Sequence, residues 1–414
     1  MNVKNFLRTI EEYTTLILSY IVGQICYRNR KINYPDINRI AIIKLDHLGD
    51  VILSTPAIAN IREYFQNAHI TLVVNSLSKA IAEIIPYVDE ILLYNARFFD
   101  RSGDARAFNI LKGVKFAVNM RHQKFDLIID FRGSIATILY AIISNSKYRL
   151  DRGTYLVKKK FRKNKSPLIP LSQRRNVEKS LLQKRQGIYK GDEWTDLHEA
   201  NVCLNILAEA GIPVKIKKTS IDPKCILQNF DNNGSDTNIK IVIHAGAPML
   251  LKRWSSQKYV DLIKMLLQDY PAKIFLIGGK DEYELSNKIL TAIDDEHIIN
   301  LAGKLTLSEL ACLLKKSHLF IGNDSGPMHI ASACGTKVIG LYGPTDPERF
   351  GPYGSNCVAL RMEDRCPPCA KDKCKFKDYR CIDQISVEDV MNVVKNLVNI
   401  YDPFLIKGES QFPL

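Results

Sequence analysis

From Ile40 onward the chain alternates two patterns. Short runs of uninterrupted apolar residues give way to longer stretches in which apolar residues recur every three or four positions. The first kind reads as a strand buried on both faces, the second as an amphipathic helix. Ile40–Leu45 opens the series as a strand. The loop Asp46-His47-Leu48-Gly49 then leads into a helix over Asp50–Phe65, with Ile58, Ile61 and Phe65 on one face. Strands follow at Ile70–Val74, Glu90–Tyr94 and Phe125–Phe131, with helices over Leu77–Ile85 and from Gly133 through Ile143. A helix from about Leu197 to Ala210 is closed by Gly211 and Pro213.

A second series begins after residues 222–238, whose Pro, Gly, Ser, Asp and Asn mark a linker. Strands are predicted at Ile239–His244, Lys273–Ile277, Ile298–Leu301, His318–Ile321 and Lys337–Leu341. Helices are predicted over Ser256–Gln268, Asp281–Ile293, Thr306–Lys315, Gly326–Cys334 and Val387–Val398. Thr306 and Glu309 have the spacing of a capping box. Alternating strands and helices imply parallel sheets with right-handed crossovers. The expected fold is therefore α/β, with two Rossmann-like doubly wound domains facing a cleft. The boundaries read as an extension at 1–38, an N-terminal domain at 39–221, the linker, a C-terminal domain at 239–385 and a terminal helix and tail at 386–414.

Composition supports two cores: 414 residues, 46% hydrophobic and 25% charged, are enough for two ordinary globular domains. Charge changes the picture more. Between Lys147 and Lys190 stand fifteen Lys or Arg against only Asp151 and Glu178, a local +13 out of a net +14. Such a segment suits an anionic partner: a phosphorylated glycolipid, a membrane surface or nucleic acid. A solvated loop is the alternative. Its aromatics, Tyr148, Tyr155, Phe161 and Tyr189, show no stacking pattern of the single-strand-binding kind, so nucleic acid is the weaker partner. Near the N-terminus, Phe6, Ile10, Tyr13, Ile17 and Tyr20 recur at helical spacing, and the 14 uncharged residues Tyr13–Cys26 are too few to span a bilayer. An interfacial helix and a helix packed on its own domain both fit. No secretory signal is evident, and the expected location is cytoplasmic, with peripheral attachment to the inner membrane as an option.

Ligands of open parallel sheets bind beyond the carboxyl ends of the strands. Four such places carry candidate chemistry. In Asp46-His47-Leu48-Gly49-Asp50, Gly49 permits a tight turn and Asp50 begins a helix, either as an ordinary N-cap or as a catalytic carboxylate. In His244-Ala245-Gly246-Ala247-Pro248, small residues let the backbone approach a ligand, and Lys252 and Arg253 add charge suited to a diphosphate. Gly278-Gly279 ends a further strand. In Gly322-Asn323-Asp324-Ser325-Gly326-Pro327-Met328-His329, Asp324 suits sugar or ribose hydroxyls or a helix cap, and Ser325 and the Gly326 amide suit phosphate. His329 taken alone reads as a core histidine. Gly343 and Thr345 lie in the turn-rich loop Tyr342–Pro347, expected to close over the same ligand. There is no P-loop, no Gly-x-Gly-x-x-Gly and no Asp-x-Asp, so a metal-held nucleotide sugar is not expected.

At these residues the chain resembles a known family. Residues 42–57, Ile-Ile-Lys-Leu-Asp-His-Leu-Gly-Asp-Val-Ile-Leu-Ser-Thr-Pro-Ala, resemble the opening signature of the heptosyltransferase-like glycosyltransferases of family 9, which assemble the lipopolysaccharide core. His-Ala-Gly-Ala with Lys-Arg-Trp, Gly-Asn-Asp-Ser-Gly-Pro-Met-His-Ile-Ala, and Leu-Tyr-Gly-Pro-Thr-Asp-Pro resemble its donor-domain motifs. The resemblance spans residues 40 to about 395. It implies a metal-independent, inverting GT-B glycosyltransferase with no catalytic cofactor. The implied donor is ADP-heptose or a similar nucleotide sugar, and the implied acceptor a phosphorylated glycolipid or glycan. It further implies Asp50 as general base, Lys252 on the donor phosphates, and Asp324 with the Gly326 region on sugar and nucleotide. Gly49 and Arg132 are then expected on the acceptor side. The long N-terminal extension and the basic insertion depart from the simplest members. Cys366, Cys369, Cys374 and Cys381 have spacing that permits a structural zinc site, though disulfides or free thiols fit as well. The scattered Cys26, Cys203, Cys225, Cys312 and Cys334 read mostly as small core residues. A nucleotide-sugar epimerase of the same architecture, a nucleic-acid binder and an inactive scaffold are the rival readings. An epimerase needs no basic insertion, and retention of Asp50, Lys252 and Asp324 argues against the scaffold.

Overall fold

The computed structural model describes residues 34–94, 110–152, 188–190, 198–223, 225, 239–362, 374, 376 and 380–398. The interfacial-helix candidate, most of the basic segment, most of the linker, Cys366, Cys369 and the tail beyond 398 lie outside the described residues. The chain divides into two compact units, Met1–Ser180 with Glu199–Lys217, and Leu181–His198 with Lys218–Leu414. Among the described residues, no helix is long and apolar enough to cross a membrane.

In the first unit the strands are β1 (Arg39–Ile43), β2 (His69–Val74), β3 (Glu90–Leu93), β4 (Leu127–Asp130) and β5 (Tyr148–Asp151), in the order β3-β2-β1-β4-β5. All neighbours are parallel. The central strands are mostly apolar along their length, as strands covered by helices on both faces are. Those helices are α1 (Leu48–Leu53), α2 (Thr55–Tyr64), α3 (Lys79–Ala82), α4 (Ile110–His122), α5 (Ile135–Ile143) and α6 (Glu199–Glu209). Ile43, Leu45, Phe116, Met120, Ile128 and Tyr140 belong to one buried cluster.

Three expectations are corrected here. The single helix over Asp50–Phe65 is two, because Pro56 has no N–H to offer and the Thr55 hydroxyl takes the Ile52 carbonyl instead, at 2.7 Å. Leu77–Ile85 is a tight turn at Ser76–Ser78, closed by the Asn75 side chain, and then only the short α3. Tyr148–Asp151, which the sequence places inside the basic insertion, is an edge strand of the sheet.

The second unit has β6 (Ile188–Lys190), β7 (Ile239–His244), β8 (Ala272–Leu276), β9 (Ile298–Asn300), β10 (Leu319–Asn323), β11 (Lys337–Leu341) and β12 (Cys357–Leu360). Their order is β6-β12-β11-β10-β7-β8-β9, parallel except for the antiparallel β6. The helices are α7 (Ser256–Asp269), α8 (Tyr283–Ile293), α9 (Leu307–Lys315), α10 (Gly326–Ala333), α11 (Pro347–Phe350) and α12 (Val387–Leu397). The amphipathic α12 buries Val390, Met391 and Val394 in the same cluster as Tyr259, Ile263 and Leu266 of α7. The Thr306–Glu309 capping box opens α9 as the spacing predicts. Cys225 and Cys312 are not separate core thiols but a disulfide, with Cα atoms 5.5 Å apart.

In each sheet the strand order reverses once. In the first unit that point lies between β1 and β4, and in the second between β7 and β10. These switch points are where open α/β sheets hold ligands. The register sets Ile43 against Asp130 in one unit and His244 against Gly322 in the other.

Candidate active site

At the first switch point the chain leaves β1 through Lys44, Leu45 and Asp46. Lys44 is 1% exposed, and a buried ammonium persists only when paired. Its Nζ donates to Glu199 Oε1 at 2.6 Å and lies 3.3 Å from Asp46 Oδ2. Arg132, just past β4, pairs with the other Asp46 oxygen, and Arg152, just past β5, with Glu199. Arg132, Asp46, Lys44, Glu199 and Arg152 thus form one ladder of alternating charge. Burial alone would push the Glu199 carboxyl up, but Lys44 and Arg152 outweigh it and hold it well below the usual carboxylate range. Asn75 and Ser78 donate to the Asp46 carbonyl at 2.7 and 3.1 Å, fixing the loop from the other side.

Asp50 sits in the first turn of α1, two residues past the start, so it is not the N-cap. That place belongs to His47, whose side chain makes no cap bond. The Asp50 carboxyl is raised above its ordinary value. Desolvation is the main cause and Glu199 adds to it. Lys44, Arg152 and the His47 amide pull the other way without prevailing. A raised carboxylate is a better proton acceptor at neutral pH than a surface aspartate. The half-buried Gly49 precedes it, and Arg132 is committed to Asp46.

At the second switch point Asn323 ends β10 and joins it to the loop after β7. Its Nδ2 donates to the Ala245 and Gly246 carbonyls at 2.8 and 3.0 Å. Its Oδ1 accepts from the Trp254 amide at 3.1 Å and the Tyr259 hydroxyl at 3.0 Å. The fully engaged amide locks the backbone on which the charged residues stand. Lys252 Nζ reaches Asp324 Oδ2 at 2.5 Å. Arg253 Nε donates to the Ala247 carbonyl at 2.7 Å, so its side chain braces the loop. Asp324 does not cap α10; Ser325 holds the N-cap position, and its hydroxyl makes no cap bond either. The first turn of α10 therefore opens without a side-chain cap, beside the Lys252–Asp324 pair.

His244 bridges the motifs. Its Nδ1 lies 2.9 Å from Ser325 Oγ and its Nε2 3.0 Å from Glu282 Oε2. Gly246 and Gly278 are explained by this contact: a Cβ at Gly246 would overlap the Glu282 carboxylate, and one at Gly278 would come within 2.9 Å of it. Gly343 is held similarly, since a Cβ there would meet the Leu251 carbonyl at 3.0 Å. His329 Nδ1 and Thr345 Oγ1 are buried without a hydrogen-bond partner, and burial pushes His329 down to about 4, so the ring is neutral. Buried polar atoms normally find a partner, and His329 lies within electrostatic reach of the Lys252–Asp324 pair.

The sequence-predicted donor residues thus divide between the ends of β7, β8 and β10 and the loop after β11. Asp50, Gly49 and Arg132 gather at the first unit's switch point. Sequence reasoning missed Lys44, Asp46, Arg152 and Glu199. It also missed Asn323 as the hub and Glu282 as the partner of His244. Lys44 and Glu199 are 155 positions apart, so only the tertiary fold reveals their pairing. Among the described residues no group of three or more His, Cys, Asp or Glu is arranged to hold a metal ion. Of the four cysteines with zinc-like spacing, Cys374 and Cys381 are described and the other two are not.

Two doubly wound units of this kind make a glycosyltransferase fold of the GT-B type. The model of glycosyltransferase family 9 (heptosyltransferase) matches residues 114–380. The chain belongs to that family and is a glycosyltransferase. Lipooligosaccharide heptosyltransferase 2 of Campylobacter jejuni is 26% identical over 360 residues, covering 85% of this chain and 95% of that one. Lipopolysaccharide heptosyltransferase 3 of Escherichia coli is 24% identical, covering 84% and 96%. Among solved structures, a family 9 glycosyl transferase from Veillonella parvula aligns with a TM-score of 0.66 at 23% identity, over 89% of this chain and 98% of that chain. Heptosyltransferase WaaC of E. coli with ADP aligns at 0.61 and 19%, over 87% and 100%.

Proposed function

We propose that the protein transfers a heptose from ADP-heptose to a sugar hydroxyl of a lipopolysaccharide-type core, with inversion and without a metal. The raised carboxylate of Asp50 at the first switch point carries the reading. In this mechanism Asp50 takes the proton from the acceptor hydroxyl as its oxygen attacks the anomeric carbon. The leaving ADP is stabilised by Lys252, by the open amides at the start of α10 and by Ser325. Asp324 holds Lys252 in place and accepts from donor hydroxyls. His329 Nδ1 and Thr345 Oγ1, buried and unpartnered, have hydrogen-bonding capacity to offer the donor. The names of relatives in both sequence and structure comparisons support heptose and ADP as the chemistry. A cytoplasmic location, with the basic segment on an anionic surface, completes the proposal.

The test is a transfer assay with ADP-heptose and a heptose-deficient core acceptor in EDTA. Wild type turns over. Asp50→Asn loses roughly 10²–10⁴-fold in kcat/KM, the usual worth of a general base. The base must be ionised, so kcat/KM falls as pH drops through the raised Asp50 value, above the ordinary 3.8. Because a raised carboxylate opposes folding once ionised, Asp50→Asn does not lower thermal stability at neutral pH. Normal turnover in this variant would refute the assignment.

A further inference from the structure

We propose that Glu282 is a positioning residue that acts through His244 on Ser325, and that donor diphosphate binding takes up a proton on His244. This rests on the donor-site reading above.

The chain is continuous: Glu282 Oε2 to His244 Nε2 at 3.0 Å, then His244 Nδ1 to Ser325 Oγ at 2.9 Å. All three belong to different elements at one switch point. Glu282 follows β8, His244 ends β7, and Ser325 precedes α10. Glu282 Oε2 also accepts from the Gly279 amide at 2.9 Å. Its carboxylate lies close against the backbone of Gly246 and Gly278, where any larger residue would displace it. It is an acceptor only, which forces a proton onto His244 Nε2.

The remaining ring nitrogen then has two states. With a neutral ring, Nδ1 is an acceptor, and the Ser325 hydroxyl spends its one proton on it. With an imidazolium, Nδ1–H donates to Ser325 Oγ, and the hydroxyl proton is released for another acceptor. In the neutral state Ser325 presents only lone pairs outward, which repel a phosphate oxygen. In the charged state it offers a donor, backed by a positive ring. In the charged state, before a phosphate arrives, the released Ser325 proton goes to the Asn323 carbonyl, 3.0 Å from Oγ. A diphosphate at the start of α10 favours the charged state, and Glu282 supplies the buried counter-charge that makes it attainable. The proton balance is one proton taken from solvent per donor bound, returned when the nucleotide leaves.

The charged groups around this chain are few. Arg253 acts on Glu282 from the loop after β7, and Lys252 and Asp324 neutralise one another at 2.5 Å. Tyr259 donates to the His244 carbonyl at 3.3 Å and stays neutral, since burial raises its hydroxyl.

The probe is the non-transferable donor ADP-2-deoxy-2-fluoro heptose, whose diphosphate does not titrate near neutrality. Its binding to the full chain is measured by calorimetry at pH 7.5 in buffers of different ionisation enthalpy. Wild type is expected to take up between about half and one proton per ligand, with tighter binding as pH falls from 8 toward 6. Glu282→Gln, which keeps an acceptor for the Gly279 amide, is expected to lose both the uptake and the pH dependence. Ser325→Ala is expected to keep the uptake and bind about tenfold more weakly. The imidazole resonances of His244 in wild-type protein, with and without probe, report the same protonation change with no substitution. Binding without proton uptake, or with His244 unchanged, overturns this inference and leaves the donor site standing. Undiminished uptake in Glu282→Gln overturns it too. Failure of wild type to bind the probe overturns the donor assignment and this inference together.

Discussion

Glu199 shows how one side chain organises the first unit's switch point. It lies on α6, far along the chain from β1, yet accepts from both Lys44 and Arg152. Its low carboxyl value means that the folded state favours the ionised form. Its contribution is therefore present above the ordinary value of 4.5 and is lost as pH falls below it. Glu199→Gln would leave Lys44, 1% exposed, with Asp46 as its one remaining charged partner in the ladder. Breaking a buried pair from one side costs about 3–5 kcal/mol. Denaturant unfolding at pH 7 should show a loss of that order, narrowing toward pH 4 and below. A loss under about 1 kcal/mol would mean that the ladder does not hold the site together. Nothing in the local sequence marks Glu199: it reads as an ordinary first-turn acid of a helix. Asp50 was visible because its motif follows a strand, but the burial that raises its carboxyl, and the added push from Glu199, come from the tertiary fold.

At the level of elements, legibility followed hydrophobic pattern. Ile239–His244 and Lys337–Leu341 have the predicted ends because they are apolar runs buried on both faces. The edge strands were harder. Tyr148–Asp151 carries an Arg and an Asp in four residues, which are buried and pair with one another at 3.5 Å. Cys357–Leu360 and Ile188–Lys190 are too short to announce themselves. The break at Ser54 was hidden because the apolar face continues across it, while Pro56 and two hydroxyls reset the hydrogen bonding. Capping was read correctly where both partners are polar and local. Thr306 accepts from the Glu309 amide at 3.3 Å, and Glu309 Oε2 accepts from the Thr306 amide at 2.8 Å. Thr306→Ala removes one half of that exchange and should cost about 1 kcal/mol in chemical denaturation. Thr306→Ser should restore nearly all of it. Equal losses in the two variants would mean that the Thr306 methyl group, not the cap, supplies the stability.

Charge belongs to the whole molecule. The segment Lys147–Lys190 holds +13 of the +14, so the rest of the chain is close to neutral. A segment so biased binds an anionic surface at about 1 kcal/mol for each Lys or Arg near it, and loses that attraction as salt shortens the screening length from about 10 Å at 0.1 M to about 3 Å at 1 M. An enzyme whose acceptor is a phosphorylated glycolipid would gain local substrate concentration in this way. The protein is therefore expected to sediment with phosphatidylglycerol vesicles at low salt and to be released at high salt. Replacing Lys158, Lys159, Lys160, Arg162 and Lys163 by Gln should weaken vesicle binding at least tenfold, while kcat/KM toward a soluble acceptor fragment stays unchanged. Binding that survives both high salt and these substitutions would instead assign the attachment to apolar burial, for which Tyr13–Cys26 is the stretch of suitable composition. Loss of turnover on the soluble fragment would assign the basic residues to acceptor recognition itself. The two quantities separate because screening weakens long-range attraction to a charged surface far more than close, partly buried contacts with a bound sugar phosphate.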